Sequence, residues 1–219
     1  MQPMAKCLVL DLDGTITDSL PDIAGALNRS LARYSQDPLP MEQVRPMVGD
    51  GLMVLYQRGY AARGMVPTDE DMALGLADYT AHSTEGTYLY PGALEALRAL
   101  KAAGWQLAVC TNKPEEPARI LLDHVGLLPL LDAVGGGDSF PVKKPDPDHI
   151  RFTLEAAGAT VAESVMIGDH HNDVAAGKGA GLPTIFASWG YGPREVGAEA
   201  DAVAESFADV PALCETLRP

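Results

Sequence analysis

Two carboxylates, Asp11 and Asp13, stand where the apolar run Cys7-Leu8-Val9-Leu10 gives way to a glycine turn at Gly14. Like charges buried at a strand end need a cation or a proton beside them. A carboxylate so placed can attack phosphorus and form an acyl phosphate, which divides one hard displacement into two easier ones. A second carboxylic acid alongside can protonate the departing oxygen and later deprotonate the attacking water. Asp11 suits the first role and Asp13 the second. Taken alone, the same residues also read as an Asp-Gly turn that simply ends a strand.

Three distant segments supply what this pair lacks. Thr111-Asn112 follows the apolar run Gln106 to Cys110, Lys143-Lys144-Pro145 follows Ala133-Val134 after a loop, and Gly168-Asp169 with Asp173 follows Ser164 to Ile167. Singly these read as a helix cap, a solvated lysine pair, and a cap plus a surface acid. Their shared position after strands favours one joint site, because parallel α/β sheets bind ligands outside the carboxyl ends of their strands. Several Asp residues in one pocket repel one another unless a hard divalent cation binds them, which points to Mg²⁺. The expected ligands are Asp11, Asp169 and the carbonyl of Asp13, with Asp173 in or behind them. The Thr111 hydroxyl, the Asn112 backbone N–H and a lysine ammonium can hold the non-bridging phosphate oxygens, with Gly14 leaving room beside them.

The elements that must position these groups follow from periodicity. Leu20, Ile23, Leu27, Leu31 and Tyr34 recur at helical spacing behind Pro21, and further helical patches cover Met41 to Val48, Leu52 to Ala62 and Asp69 to Ser83. From Tyr90-Pro91-Gly92 onward, strand and helix alternate with short connections. Strands are expected at Gln106 to Cys110, Ala133-Val134, Ser164 to Ile167, Thr184 to Ala187 and Ala202-Val203, and helices through Leu94 to Leu100, Ile120-Leu121, Pro147 to Ala157, after Asn172, and Ala208 to Leu217. Such alternation specifies an α/β fold, a parallel sheet covered by helices. The all-helical stretch is then an insertion, giving a core of residues 1–16 and 88–219 and an inserted domain of 17–87. Gly135-Gly136-Gly137 is too short for a linker and is expected to free the backbone at a strand end.

At 219 residues and 47% apolar composition the chain can bury a full core. The formal charge of -14 argues against nucleic-acid or anionic-membrane partners, which need clustered Lys and Arg. Cys7, Cys110 and Cys214 lack metal-ligand spacing and are expected as buried thiols, in keeping with a reducing cytoplasm. No apolar stretch approaches the length of a membrane span, and the first strand begins too early to follow a signal peptide. Oligomeric state is open between monomer and homodimer.

With all four segments in place, the chain resembles the haloacid dehalogenase superfamily, and within it the phosphoglycolate phosphatase group with a helical cap. Asp11-Leu12-Asp13-Gly14-Thr15, followed by Asp18 and Ser19, is similar to that family's first motif, and Thr111-Asn112-Lys113 to its second. Lys144-Pro145-Asp146-Pro147 is similar to the third, and Gly168-Asp169 with Asp173 to the fourth. The resemblance implies a Rossmann-like core, a mobile helical cap, and Lys144 as the lysine that meets the phosphate, leaving Lys143 exposed. His170-His171 departs from the serine usual after the fourth-motif Asp, and hydrogen bonding or solvent exposure suits His170 better than ligation, since Mg²⁺ prefers oxygen.

Family resemblance does not fix the reaction. Asp13 argues against dehalogenation, and the absence of any lysine between Thr17 and Thr87 argues against phosphonatases and weakens sugar phosphomutases. Hydrolysis of a small phosphorylated metabolite remains, with 2-phosphoglycolate first. Sugar phosphates, nucleotides or pyrophosphate are alternatives, and a catalytically silent binding protein is the reading from another class. For the substrate's far end, Arg45 beside Gly49-Asp50-Gly51 is the expected reader of a carboxylate, against the plainer reading of a surface helix residue.

Overall fold

The computed structural model describes residues 6–218. Strand β1 (Cys7–Leu10) leads through the short β2 (Thr17–Asp18) into helices α1 (Leu20–Ala32), α2 (Met41–Val44), α3 (Leu52–Ala61) and α4 (Asp69–His82), and the chain returns through β3 (Tyr88–Leu89). Strand and helix then alternate: α5 (Ala93–Ala102), β4 (Gln106–Cys110), α6 (Glu115–His124), β5 (Ala133–Gly135), α7 (Pro147–Ala157), β6 (Ser164–Gly168) and α8 (His171–Ala180). The chain closes with β7 (Thr184–Ala187), β8 (Ala202–Ala204) and α9 (Val210–Leu217).

The sheet has the order β5-β4-β1-β6-β7-β8 with every neighbour parallel. β1 is central because both its faces are apolar: Leu8 and Leu10 pack with Leu97, Leu121 and Phe207, while Cys7 and Val9 pack with Ile150, Leu154 and Met166 on the other face. The chain leaves β1 for β4 and β5 on one side and crosses to β6, β7 and β8 on the other. Strand order therefore reverses beside β1, and that reversal opens a crevice at its carboxyl end. Leu10 pairs with Val109 and with Ile167, so Asp11, the end of β4 and the end of β6 stand level.

The helical stretch has an apolar cluster of its own, in which Ile23, Leu27 and Leu31 of α1 pack against Leu55, Tyr56 and Tyr60 of α3 and Tyr79 of α4. β2 and β3 pair antiparallel, Thr17 with Leu89 and Asp18 with Tyr88, where the chain leaves the sheet and returns to it. A parallel α/β sheet with an inserted all-helical unit is thus the fold. Three local differences from the sequence reading have simple causes. Pro46 lacks the N–H that would extend α2, so Arg45–Met47 forms a 3-10 turn in place of a helix running to Val48. α8 begins at His171, earlier than expected, because the Asp173 carboxylate accepts from the His170 N–H at 2.9 Å. Finally, Gly136 and Gly137 do not adopt left-handed backbone: a Cβ on either would strike Glu115 or the carbonyl of Asn112, so close approach is what requires glycine there.

Candidate active site

Asp11 and Asp13 follow β1, Thr111 and Asn112 follow β4, Lys144 lies in the loop before α7, and Asp169 and Asp173 flank the start of α8. The structure brings all of them to the crevice beside β1. Asp11, Thr111, Asn112, Lys144, Asp169 and Asp173 are buried. The Lys144 ammonium donates to Asp11 Oδ1 at 2.8 Å and Asp173 Oδ1 at 2.6 Å. Asp169 is fixed by the Thr15 hydroxyl at 2.8 Å and by the backbone N–H groups of Tyr191 at 2.7 Å and Gly192 at 3.2 Å. Gly14, at φ +88°, lies so close that a Cβ would stand 2.6 Å from Asp169 Oδ2.

Burial dominates the charge balance. It pushes the Asp11 carboxyl up to about 8 against the attraction of Lys144, with Asp173 and Asp169 adding repulsion. Burial and the Asp173 charge push Asp169 up to about 6, opposed by its hydrogen-bond donors. Lys144 moves upward too, because the attraction of Asp11 and Asp173 outweighs its own desolvation. Two of these three buried carboxylates, Asp11 and Asp173, share one ammonium, and one oxygen from each of the three lies within 4.8 Å of the others. A hard, all-oxygen donor set with excess negative charge fits Mg²⁺.

The Asp13 carboxylate points the other way, where Oδ1 accepts from the Ser19 hydroxyl at 2.6 Å and the Lys113 ammonium at 2.7 Å. Asp13 and Asp11 line a cavity of about 50 Å³ whose other walls are Thr111, Asn112, Lys113 and Pro114 from the sheet side and Ile23, Val48, Gly49, Gly51, Leu52, Leu55 and Tyr79 from the helical side. The Thr111 hydroxyl accepts from the Lys113 N–H at 3.2 Å within the turn, and the helix cap that Thr111-Asn112 alone suggested is absent, because α6 begins at Glu115 behind Pro114. Asn112 donates both amide hydrogens, to the carbonyls of Gly49 and Lys144, at 2.9 Å each.

Gly49 and Gly51 carry the helical unit against the core. Both have positive φ, and a Cβ would stand 2.9 Å from the His170 ring at Gly49 and 2.9 Å from the Asn112 carbonyl at Gly51. Lys143, expected in solvent, is half-buried and donates to the Asp50 carbonyl at 2.7 Å. His170 caps α8 through Nδ1, which accepts from the Asn172 N–H at 3.5 Å. Arg45 is not brought to the cavity. Its guanidinium lies over the Tyr191 ring, 5.4 Å from the centroid, and lines an outer groove with Asp18, Pro21 and Tyr88. The 3-10 turn forced by Pro46 separates it from the glycine loop that follows.

Six contributors escaped the sequence reading as site residues: Thr15, Ser19, Tyr79, Lys113, Asn172 and Tyr191. Lys113 was visible as the third residue of its segment, and Pro114 behind it keeps it out of α6. Tyr79 gave no local signal, since it reaches Lys113 from a distant helix.

A family model described as haloacid dehalogenase-like hydrolase matches residues 5–181. The chain is 43% identical over 216 residues to the phosphoglycolate phosphatase of Caulobacter vibrioides, covering 96% of this chain and 91% of that protein. It is 42% identical over 217 residues to the phosphoglycolate phosphatase of Rhodospirillum rubrum, covering 94% and 90%. Among solved structures, it superposes on a predicted phosphoglycolate phosphatase from Haemophilus somnus 129pt with a TM-score of 0.86 and 28% identity, covering 97% of this chain and 99% of that one.

Proposed function

Because the chain belongs to the haloacid dehalogenase-like hydrolases, we propose that it is a Mg²⁺-dependent phosphatase that hydrolyses 2-phosphoglycolate through an aspartyl phosphate on Asp11. The observation that carries this reading is the convergence of Asp11, Asp13, Lys144, Asp169 and Asp173 at one strand-end crevice, with a single ammonium bridging Asp11 and Asp173. Asp11, Asp169, Asp173 and the carbonyl of Asp13 would hold Mg²⁺, which supplies positive charge against the phosphate oxygens when bound.

The chain's own groups account for the rest. Lys144 opposes the burial that favours a protonated Asp11, and the ionised Asp11 carboxylate forms a bond to phosphorus as the ester P–O bond breaks. Asp13 delivers its proton to the departing alkoxide, leaving a free alcohol. Water then attacks phosphorus, gives its proton to Asp13, and displaces the Asp11 carboxylate, releasing inorganic phosphate. The Thr111 hydroxyl, the Asn112 N–H and Lys144 hold the non-bridging oxygens through both steps. Residues 17–87 act as the cap that closes the crevice and excludes water.

The similarity to phosphoglycolate phosphatases over nearly the whole chain supports 2-phosphoglycolate. We place the reaction in a reducing cytoplasm: all three cysteines are free and buried, and desolvation pushes their thiols up to between about 11 and about 12. Among the described residues no helix is long and apolar enough to cross a membrane. Phosphate release from a panel of phosphorylated metabolites, with Mg²⁺ and with chelator, tests the proposal. The highest kcat/KM should fall on 2-phosphoglycolate and vanish with chelator. A sugar phosphate or nucleotide at the head of the panel overturns the substrate, and no release from any compound overturns the enzyme.

A further inference from the structure

With Arg45 outside the cavity, the group that meets the far end of the ester has to come from elsewhere. Four cations lie near enough to consider, and three of them do not line the cavity. Lys144 is held between Asp11 and Asp173, Lys143 donates to the Asp50 carbonyl at 2.7 Å, and Arg58 pairs with Asp50 at 2.6 Å. Lys113 differs from all of them. Among the cavity's lining residues it is the one cation, and it is 4% exposed.

We propose that Lys113 selects the alcohol half of the substrate by pairing with a carboxylate on the carbon next to the ester oxygen, a role that rests on the phosphatase reading above. An ammonium has three N–H donors and no acceptor. Lys113 places one on Asp13 Oδ1 at 2.7 Å and one on the Tyr79 hydroxyl, and among the described residues no third acceptor faces it. Asp13 balances the ammonium's charge, so what stays unmatched is the third N–H, and a ligand that supplies an acceptor there is bound preferentially. The opposite wall is Ile23, Leu52 and Leu55, which offers such a ligand's carboxylate no competing partner.

Position then sets the chemical class. Asp13 is the acid for the ester oxygen, and Lys113 donates to Oδ1 of that same carboxylate, so its ammonium stands within a carboxylate's width of the ester oxygen. A carboxylate on the adjacent carbon reaches it. A neutral alkyl group there leaves the third N–H unmatched, and an anion farther along the chain is driven into the apolar wall. Tyr79 comes from α4 of the helical unit while Lys113 comes from the core, so the carboxylate pocket is complete only when the two meet.

The test compares 2-phosphoglycolate with ethyl phosphate, which has the same carbon count and no second charge, using full-length protein with Mg²⁺. Wild-type kcat/KM should favour 2-phosphoglycolate by about a hundredfold, the scale of a desolvated charge-assisted pair. Lys113→Met will slow both esters by unpairing Asp13, so the quantity read is the ratio between them, which should fall at least about thirtyfold. Lys113→Arg, which keeps the charge, should hold most of the preference. A wild-type enzyme indifferent to the carboxylate overturns the proposal without any variant, as do equal losses on both esters in Lys113→Met. If neither ester turns over, the phosphatase reading fails and calorimetry on the Mg²⁺-loaded protein decides Lys113 separately. Tighter binding of 2-phosphoglycolate than of ethyl phosphate, lost in Lys113→Met, supports it, and equal binding overturns it.

Discussion

The two sides of the cavity are built from different physics. The core side holds Asp11 and Asp173 on Lys144 and Asp169 on Thr15 and the Tyr191 N–H, each by a short hydrogen bond. The helical side presents Ile23, Val48, Leu52 and Leu55, with Tyr79 as its polar group. Charge held rigidly on one side can stabilise a charged transition state, because its cost is met when the protein folds and not during the reaction. Apolar surface on the other side can only exclude water and measure shape. Chemistry should therefore be concentrated in the core and selectivity shared with the cap, and substitutions on the two sides should differ in kind as well as size.

The largest effect is expected at Lys144. Lys144→Met leaves the buried carboxylates of Asp11 and Asp173 without their cation, which should cost about 3–5 kcal/mol in metal-free protein and slow turnover about a thousandfold. Urea unfolding with and without Mg²⁺ checks both parts, since added Mg²⁺ should recover much of the stability and little of the rate. If stability is unchanged without metal, the core is not the charged frame described here. Asp13→Asn should follow, at about a hundredfold to ten-thousandfold on 2-phosphoglycolate. An aryl phosphate whose leaving group departs unprotonated should lose less in the first step.

His149 sharpens the contrast through pH. Its Nδ1 accepts from the Lys144 N–H at 3.2 Å and its Nε2 lies 3.1 Å from the Gly136 carbonyl, an arrangement for neutral imidazole. Burial, helped by the Lys144 charge, holds it down at about 4. The unfolded chain binds a proton near the ordinary value of about 6.5, so the unfolded state holds more protons between those values and stability is lost as pH falls through them. Wild type should lose up to about 3 kcal/mol more than His149→Gln between pH 6.5 and 4. Parallel stability curves for the two proteins would show that His149 is not held neutral.

On the helical side the effects shrink. Leu55→Ala removes a buried side chain facing both the cap's own cluster and the cavity, and should cost about 2–4 kcal/mol of stability while shifting preference toward bulkier esters. The smallest effect is expected at Arg45, which lies in the outer groove. Arg45→Ala should change kcat/KM by less than about threefold on 2-phosphoglycolate. A loss near a hundredfold would return Arg45 to the substrate.

The same division explains what could be read from the chain alone. Asp11, Thr111 and Asp169 each follow an apolar strand directly, so the local pattern that forms the strand also marks the residue, and parallel topology does the rest. Lys144 was found by its neighbour Pro145. Lys113 and Tyr79 meet across unrelated elements, and Tyr191 joins Asp169 to the start of the helical unit by accepting from the Ser19 N–H at 2.7 Å. Such contacts have no periodicity in sequence. Arg45 shows the converse error, in which closeness along the chain to Gly49 and Gly51 suggested closeness in space and a proline-forced turn removed it.

The central claim is that the core side forms a covalent intermediate on Asp11, and one measurement tests it most directly. Full-length Asp13→Asn with Mg²⁺ is mixed with an activated aryl phosphate, quenched in acid within the first turnover, digested and analysed by mass spectrometry. The account predicts a burst of phenolate matched by phosphate on the peptide carrying Asp11, because the first step needs no proton donor for such a leaving group and the second step lacks its base. Phenolate released together with free phosphate and no protein-bound phosphate, or phosphate found on another residue, would contradict it.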